Sequence, residues 1–167
     1  ARLIKQEHPD ASVVFIGPCA SKKLEASRRT VRSDVDFVIT FEELTGMFEA
    51  KGILLDEIKA MDEMKDATAA GRGYGVAGGV ANAIKECIEQ YYPGTPVNIQ
   101  HAESLAECKK ALLLAKAGKM NGCLIEGMAC PGGCIAGAGT NIAIPVAARA
   151  VDKFKNEAEK KVPDESV

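Results

Sequence analysis

Four short apolar runs, each separated from the next by a helical or polar stretch, leave this chain few folds to choose from. The runs are Ser12–Gly17, Asp36–Phe41, Val97–Gln100 and Gly122–Glu126. They have the length of strands rather than of self-burying helices, and the first is continuous enough to be covered on both faces. Glu42 to Lys51, with Leu44, Met47 and Phe48 on one face, predicts a helix that Gly52 stops. Val80 to Tyr92 predicts another, with Val80, Ile84, Cys87, Ile88 and Tyr91 sharing a face and Pro93-Gly94 ending it. Ser104 to Ala117 predicts a third, with Leu105, Cys108, Leu112 and Ala115 turned inward and Gly118 beyond its end. Pro145 to about Lys161 reads as a closing helix, and residues 56–72 as a helix-containing connection. Strands that alternate with helices predict an α/β fold with a mostly parallel sheet of about four strands and helices on both faces. The expectation is a single α/β domain over residues 1–167.

Composition narrows the class of function. The chain has 47% apolar and 26% charged residues, ordinary for a soluble fold, and its length allows a core without disulfide staples. A net charge of −2 gives no general attraction to nucleic acid or to an anionic membrane. No apolar run approaches the ~20 residues that span a bilayer. The first residues, Ala1-Arg2-Leu3-Ile4-Lys5-Gln6, are not a secretory leader; they read as the end of a helix already under way, as in a fragment or excised domain.

Without a secretory leader the six cysteines are not expected to form a disulfide framework. Cys87, Cys108 and Cys123 lie among Ala, Ile and Leu and read as buried small hydrophobes. Cys19, Cys130 and Cys134 differ, because each lies in a Gly- or Pro-rich segment just beyond an apolar run. In a parallel sheet that position is the carboxyl edge of the strands, where ligands sit.

In Met128-Ala129-Cys130-Pro131-Gly132-Gly133-Cys134 two thiols flank a Pro-Gly-Gly turn. Gly132 and Gly133 permit positive φ, so the backbone can wrap a bulky inorganic group and offer it N–H donors. The plainer alternative is a flexible glycine turn with incidental cysteines. In Pro18-Cys19-Ala20-Ser21-Lys22-Lys23-Leu24-Glu25, Lys22 puts a cation within reach of the thiol or of an anionic ligand, and Glu25 can orient it. The alternative there is a solvated helix start beside a buried cysteine. Gly73 to Gly78 spells G-x-G-x-x-G ahead of a helix. No strand pattern precedes it, and the strand some 20 residues on ends at Gln100-His101 rather than at the acid a ribose needs. Close approach of the backbone to a cofactor or a neighbouring loop explains these glycines better. His8 and His101 read as surface histidines, and Arg28, Arg29 and Arg32 as a solvated basic cluster.

Taken together, these segments resemble the C-terminal catalytic domain of the iron-only hydrogenase large subunit. Pro18, Cys19, Lys22 and Glu25 match the family's P-C-x-x-K-x-x-E segment, and Met128 to Gly139 matches M-A-C-P-G-G-C-x-x-G-x-G. Asp36 to Leu44 matches D-x-V-x-T-x-x-E-L, and Gly75 to Ala83 matches G-V-x-G-G-V-x-x-A. The likeness runs over roughly residues 10–145. It implies one lobe of the hydrogenase catalytic domain and an H-cluster, a [4Fe–4S] cubane joined to a two-iron subcluster. By the resemblance Cys19 and Cys130 ligate the cubane, and Cys134 bridges it to the two-iron centre. Lys22 then hydrogen-bonds a cyanide ligand, Met128 packs beside the two-iron site, and Gly132 and Gly133 line the cluster. The implied reaction is reversible reduction of protons to H2, or H2 sensing. The implied partners are a ferredoxin-like electron carrier or accessory iron–sulfur domain and the N-terminal half of the catalytic domain, in a cytoplasmic setting without nucleic acid or membrane.

The chain departs from the family pattern in three places. The first cysteine segment, T-S-C-C-P, does not occur, and the resemblance places it upstream of Ala1. Gly17 stands where the family has Met, and Gly137-Ala138-Gly139-Thr140 where it has Gly-Gly-Gly-Gln, changes that point to divergent or sensory members. Beside the hydrogenase reading stand a non-catalytic metal module that uses the three loop cysteines and, on Gly73–Gly78, a dinucleotide-dependent oxidoreductase. The isolated chain is expected to fold without the cluster.

Overall fold

The computed structural model describes residues 1–28, 30–31, 33–59 and 65–161. Arg29 and Arg32 of the basic cluster, and residues 60–64 of the connection, lie outside them. The elements are α1 (Arg2–Glu7), β1 (Val14–Ile16), α2 (Ser21–Ser27), β2 (Phe37–Ile39), α3 (Phe41–Ala50), α4 (Ala69–Arg72), α5 (Gly79–Tyr91), β3 (Asn98–Glu103), α6 (Leu105–Lys116), β4 (Cys123–Met128) and α7 (Ile144–Asn156). The α/β class is borne out, and each expected strand is present. The strands pair as two parallel couples, β1 with β2 and β3 with β4, rather than as one hydrogen-bonded sheet. The two couples fall in two compact units, residues 1–60 with 137–141, and residues 61–136 with 142–167.

In the first unit, Val14 pairs with Phe37 and Ile16 with Ile39. Asp36 fixes that register from outside: its carboxylate accepts the Val13 N–H and the Lys5 ammonium, each at 2.7 Å. Thr40 starts α3 with a capping box. Its hydroxyl accepts the Glu43 N–H at 3.2 Å while the Glu43 carboxylate accepts the Thr40 N–H at 2.9 Å. Gly52 ends α3 at φ +66°, as its position in the sequence suggested. The strap Gly137–Asn141 folds into this unit. Gly139 accepts the Glu42 N–H at 3.2 Å and donates to the Pro18 carbonyl at 3.0 Å. A Cβ at Gly139 would stand 2.5 Å from that of Thr40, so a side chain at this position would force the strap or α3 to shift.

In the second unit, β3 and β4 run in register from Asn98–Cys123 to Glu103–Met128. Helix α6 lies on them by a stripe of small side chains. Ala111 is buried, and Cys108 and Ala115 are half-buried. Leu105 and Leu112, expected inward, are 74% and 67% exposed. The close approach explains the difference: the Cys108 thiol lies 3.5 Å from the Ala102 carbonyl, a gap a leucine could not occupy. In α5 the buried positions are Ala81 and Ala83, with Val80, Cys87 and Ile88 half-buried and Ile84 and Tyr91 exposed. Cys87, Cys108 and Cys123 are therefore half-buried rather than core. Among the described residues, the buried apolar side chains apart from Ile135 are all alanines.

Candidate metal centre

The cysteine loops follow strand ends, as the alternation of elements required. Cys19 lies between β1 and α2, is half-buried, and its carbonyl accepts the Lys22 N–H at 3.2 Å. One turn into α2, the Lys22 ammonium lies 2.5 Å from the Glu25 carboxylate, with both side chains more than a third exposed. The two residues line a cavity of about 180 Å³ with Phe15, Ala26, Val35 and Val38.

β4 delivers Met128 and then the Cys130–Cys134 turn. Gly132 and Gly133 both adopt φ +93°, a conformation glycine supplies without strain. The Gly133 N–H donates to the Cys130 carbonyl at 3.0 Å, and Cys134 opens a single 3-10 turn ending at Ala136. Cys130 is half-buried and Cys134 exposed. The glycine-rich loop 73–79 packs directly on this turn. A Cβ on Gly133 would meet the Ala77 nitrogen at 2.4 Å, and the Ala77 N–H donates to the Gly132 carbonyl at 3.1 Å. The close approach expected of these glycines is thus to a neighbouring loop.

The dinucleotide reading fails on the same loop. α4 and not a strand precedes Gly73, and the amides at the start of α5 are already taken. Glu126, buried in β4, accepts the Gly78 N–H at 2.6 Å and the Ala81 N–H at 3.1 Å, where a pyrophosphate would have to sit. His101 adds a third bond, Nδ1 to the same carboxylate at 3.1 Å, so Nδ1 carries the proton. Burial raises the Glu126 pKa, but the bonds from Ala81, His101 and Gly78 together hold it below the ordinary 4.5. β3 runs on past His101 to end at Glu103, whose carboxylate accepts the Gly132 N–H at 2.9 Å.

Sequence reasoning missed both acids, although each left a signal. An ionisable residue inside an apolar strand demands partners. An acid just ahead of Ser104-x-x-Glu107 sits at a helix start, where Ser104 caps the Glu107 N–H at 3.1 Å.

The sequence profile described as iron-only hydrogenase large subunit, C-terminal domain, matches residues 1–138. The chain belongs to that family. Among curated proteins no sequence matches it significantly. Solved structures share its fold, three of them [FeFe]-hydrogenases. An [FeFe]-hydrogenase studied for oxygen inactivation through its two-iron subcluster aligns at TM-score 0.67 and 19% identity, over 98% of this chain and 58% of its own. An [FeFe]-hydrogenase HydA structure on stepwise H-cluster assembly gives 0.64 and 20%, over 96% and 58%. The apo [FeFe]-hydrogenase HydA1 from Chlamydomonas reinhardtii, in a cysteine-to-histidine variant, gives 0.57 and 19%, again over 96% and 58%. This hydrogenase-family chain therefore spans under two thirds of the length of the structures it resembles.

The donor chemistry fits an iron–sulfur group. Cys19, Cys130 and Cys134 are thiols outside any disulfide, on loops beyond strand ends, and Gly132 and Gly133 form a turn with no side chain in the way. Among the described residues no three of His, Cys, Asp and Glu converge on one metal-sized point. Cys130 and Cys134 belong to the second unit and Cys19 to the first. One expectation needs correction: the turn's amides are not all open to a cluster, because Gly132 gives its N–H to Glu103 and Gly133 to Cys130.

Proposed function

We propose that this chain is the part of an iron-only hydrogenase catalytic domain that holds the H-cluster through Cys19, Cys130 and Cys134. Cys19, Cys130 and Cys134 would be the chain's thiolate ligands to the [4Fe–4S] cubane and two-iron subcluster of that group. When bound, that group supplies reversible reduction of protons to H2, used in turnover or in H2 sensing. The chain contributes thiolate ligation, a turn that admits a bulky group, and a movable cation. Lys22 would exchange Glu25 for an anionic ligand of the bound group, and Met128 would present an apolar, polarisable side chain to it.

The observation that carries this reading is the Cys130–Cys134 turn, built on two positive-φ glycines and seated on the 73–79 loop, in a chain of the hydrogenase family. The Gly139–Pro18 hydrogen bond supports it, because it joins the residue before Cys19 to the strap that follows Cys134. Exposed Phe37, Leu105 and Leu112 support a partner polypeptide: the remainder of the catalytic domain, which brings further ligands and covers apolar surface. Electrons arrive from a ferredoxin-like carrier or accessory iron–sulfur domain. We place the assembly in the cytoplasm; no helix of the described residues is long and apolar enough to cross a membrane.

Anaerobic reconstitution of the chain, joined to the remainder of the catalytic domain, with ferrous iron and sulfide tests the ligand set. Iron and acid-labile sulfide should bind in comparable amounts, and Cys19→Ser, Cys130→Ser and Cys134→Ser should each lower both. Iron without sulfide would favour a structural metal module. Indifference to all three substitutions would end the hydrogenase reading of these residues.

A further inference from the structure

Among the side chains that touch the cysteine turn, one acid has no part in the ligand set. Glu103 ends β3 opposite Met128, two residues before Cys130. Its carboxylate reaches across to the Gly132 N–H at 2.9 Å. The acid is itself anchored, because its own N–H donates to the Glu107 carboxylate at 2.7 Å. Glu107 in turn is held by the Ser104 hydroxyl at the start of α6. A run of hydrogen bonds thus leads from a helix start, through Glu103, to the middle of the Cys130–Cys134 turn.

We propose that Glu103 is a positioning residue for the cluster: it braces the Cys130–Cys134 turn through Gly132 and holds the bound iron–sulfur group at a low reduction potential. The inference rests on the reading of Cys130 and Cys134 as cluster ligands. Two effects act in the same direction. A Gly132 amide bonded to a carboxylate is withheld from cluster sulfides, and amide bonds to sulfide favour the reduced, more negative state. The carboxylate also places a negative charge two residues from a ligating thiolate, which disfavours adding an electron. Gly132 cannot be exchanged for another residue without strain at φ +93°, so the acid and the amide it holds act as a fixed pair.

Two variants separate the brace from the charge. Glu103→Gln keeps a carbonyl oxygen for Gly132 and removes the charge, whereas Glu103→Ala removes both. In the iron-free chain, hydrogen exchange at the Gly132 amide should be about tenfold faster in Glu103→Ala and close to wild type in Glu103→Gln. In the catalytic domain that contains the chain, reconstituted with iron and sulfide, a redox titration followed by electron paramagnetic resonance should show Glu103→Gln shifted upward. A tenfold change in the one-electron reduction equilibrium corresponds to about 59 mV. Glu103→Ala should shift at least as far, its freed amide now able to reach the cluster. Equal Gly132 exchange in all three proteins overturns the brace. Equal potentials overturn the electrostatic role. A wild-type catalytic domain that assembles no cluster at all overturns that role together with the reading beneath it, and leaves the exchange experiment to judge the brace alone.

Discussion

Replacing Glu126 asks how much the glycine loop and helix α5 depend on one buried carboxylate. Both oxygens are used: one accepts the Gly78 N–H and the His101 ring, the other the Ala81 N–H. Ala81 is 1% exposed, so water does not replace a lost partner there. Hydrogen bonds to a charged group contribute about 1.5–3 kcal/mol each, and a stranded buried donor costs a similar amount. Glu126→Ala should therefore lower stability by roughly 3 kcal/mol or more. The informative variant is Glu126→Gln, which has the same shape but only one acceptor oxygen. Its amide NH2 must face either the Ala81 N–H or the Gly78 N–H beside the His101 ring, so donor meets donor in both orientations. We expect a loss of about 2 kcal/mol, read from urea denaturation, with faster hydrogen exchange at Gly78 or Ala81.

Acid should imitate the substitution. The folded pKa of Glu126 lies below its ordinary 4.5, so the stabilisation is complete above that value. It is lost as pH falls through the lower, folded value, and in Glu126→Gln this part of the acid limb should be flat. A Glu126→Gln protein within about 0.5 kcal/mol of wild type would refute the claim that both oxygens matter.

Gly133→Ala should prove severe, because its Cβ would stand 2.4 Å from the Ala77 nitrogen at a φ of +93°. A loss above about 2 kcal/mol is expected in denaturation, together with weaker iron binding after reconstitution. Thr40→Ala removes the α3 cap and should cost about 1 kcal/mol, read as a lower denaturation midpoint and faster exchange at the Glu43 amide. Lys22→Ala breaks an ion pair that is more than a third exposed on both sides, and should change the stability of the iron-free chain by less than about 0.5 kcal/mol. A much larger change would make Lys22 a structural residue rather than one kept for a ligand.

The elements were legible because apolar period and glycine punctuation are local properties. Gly52 and Gly118 end or follow helices at positive φ, and the starts of α5 and α6 fall within a residue of where capping and periodicity put them. The cysteine loops were legible for the same reason, each being a Gly- or Pro-rich segment just beyond an apolar run. What was not legible depends on pairing at a distance. Nothing in Val14–Ile16 or Cys123–Met128 states which strand lies beside which, so four parallel strands read as one sheet. In α6 hydrophobicity misled, because packing distance there favours Cys108 and Ala111 over the larger leucines. Glu103 and Glu126 escaped notice because their partners, Gly132 and the amides of Gly78 and Ala81, lie 29, 48 and 45 positions away.

The strap of Gly137–Asn141 bears on inheritance. The first unit is interrupted in sequence: its last piece is read from the gene only after the Cys130–Cys134 turn has been made. A recombination event that copied residues 1–60 into another protein would leave Thr40 without the glycine that packs on it, and the Pro18 carbonyl without the Gly139 N–H. A transfer that keeps the first unit intact has to carry residues 137–141, and with them the Cys130–Cys134 turn that lies between. The ligands of one proposed centre would be difficult to shuffle apart even when other segments of the chain diverge.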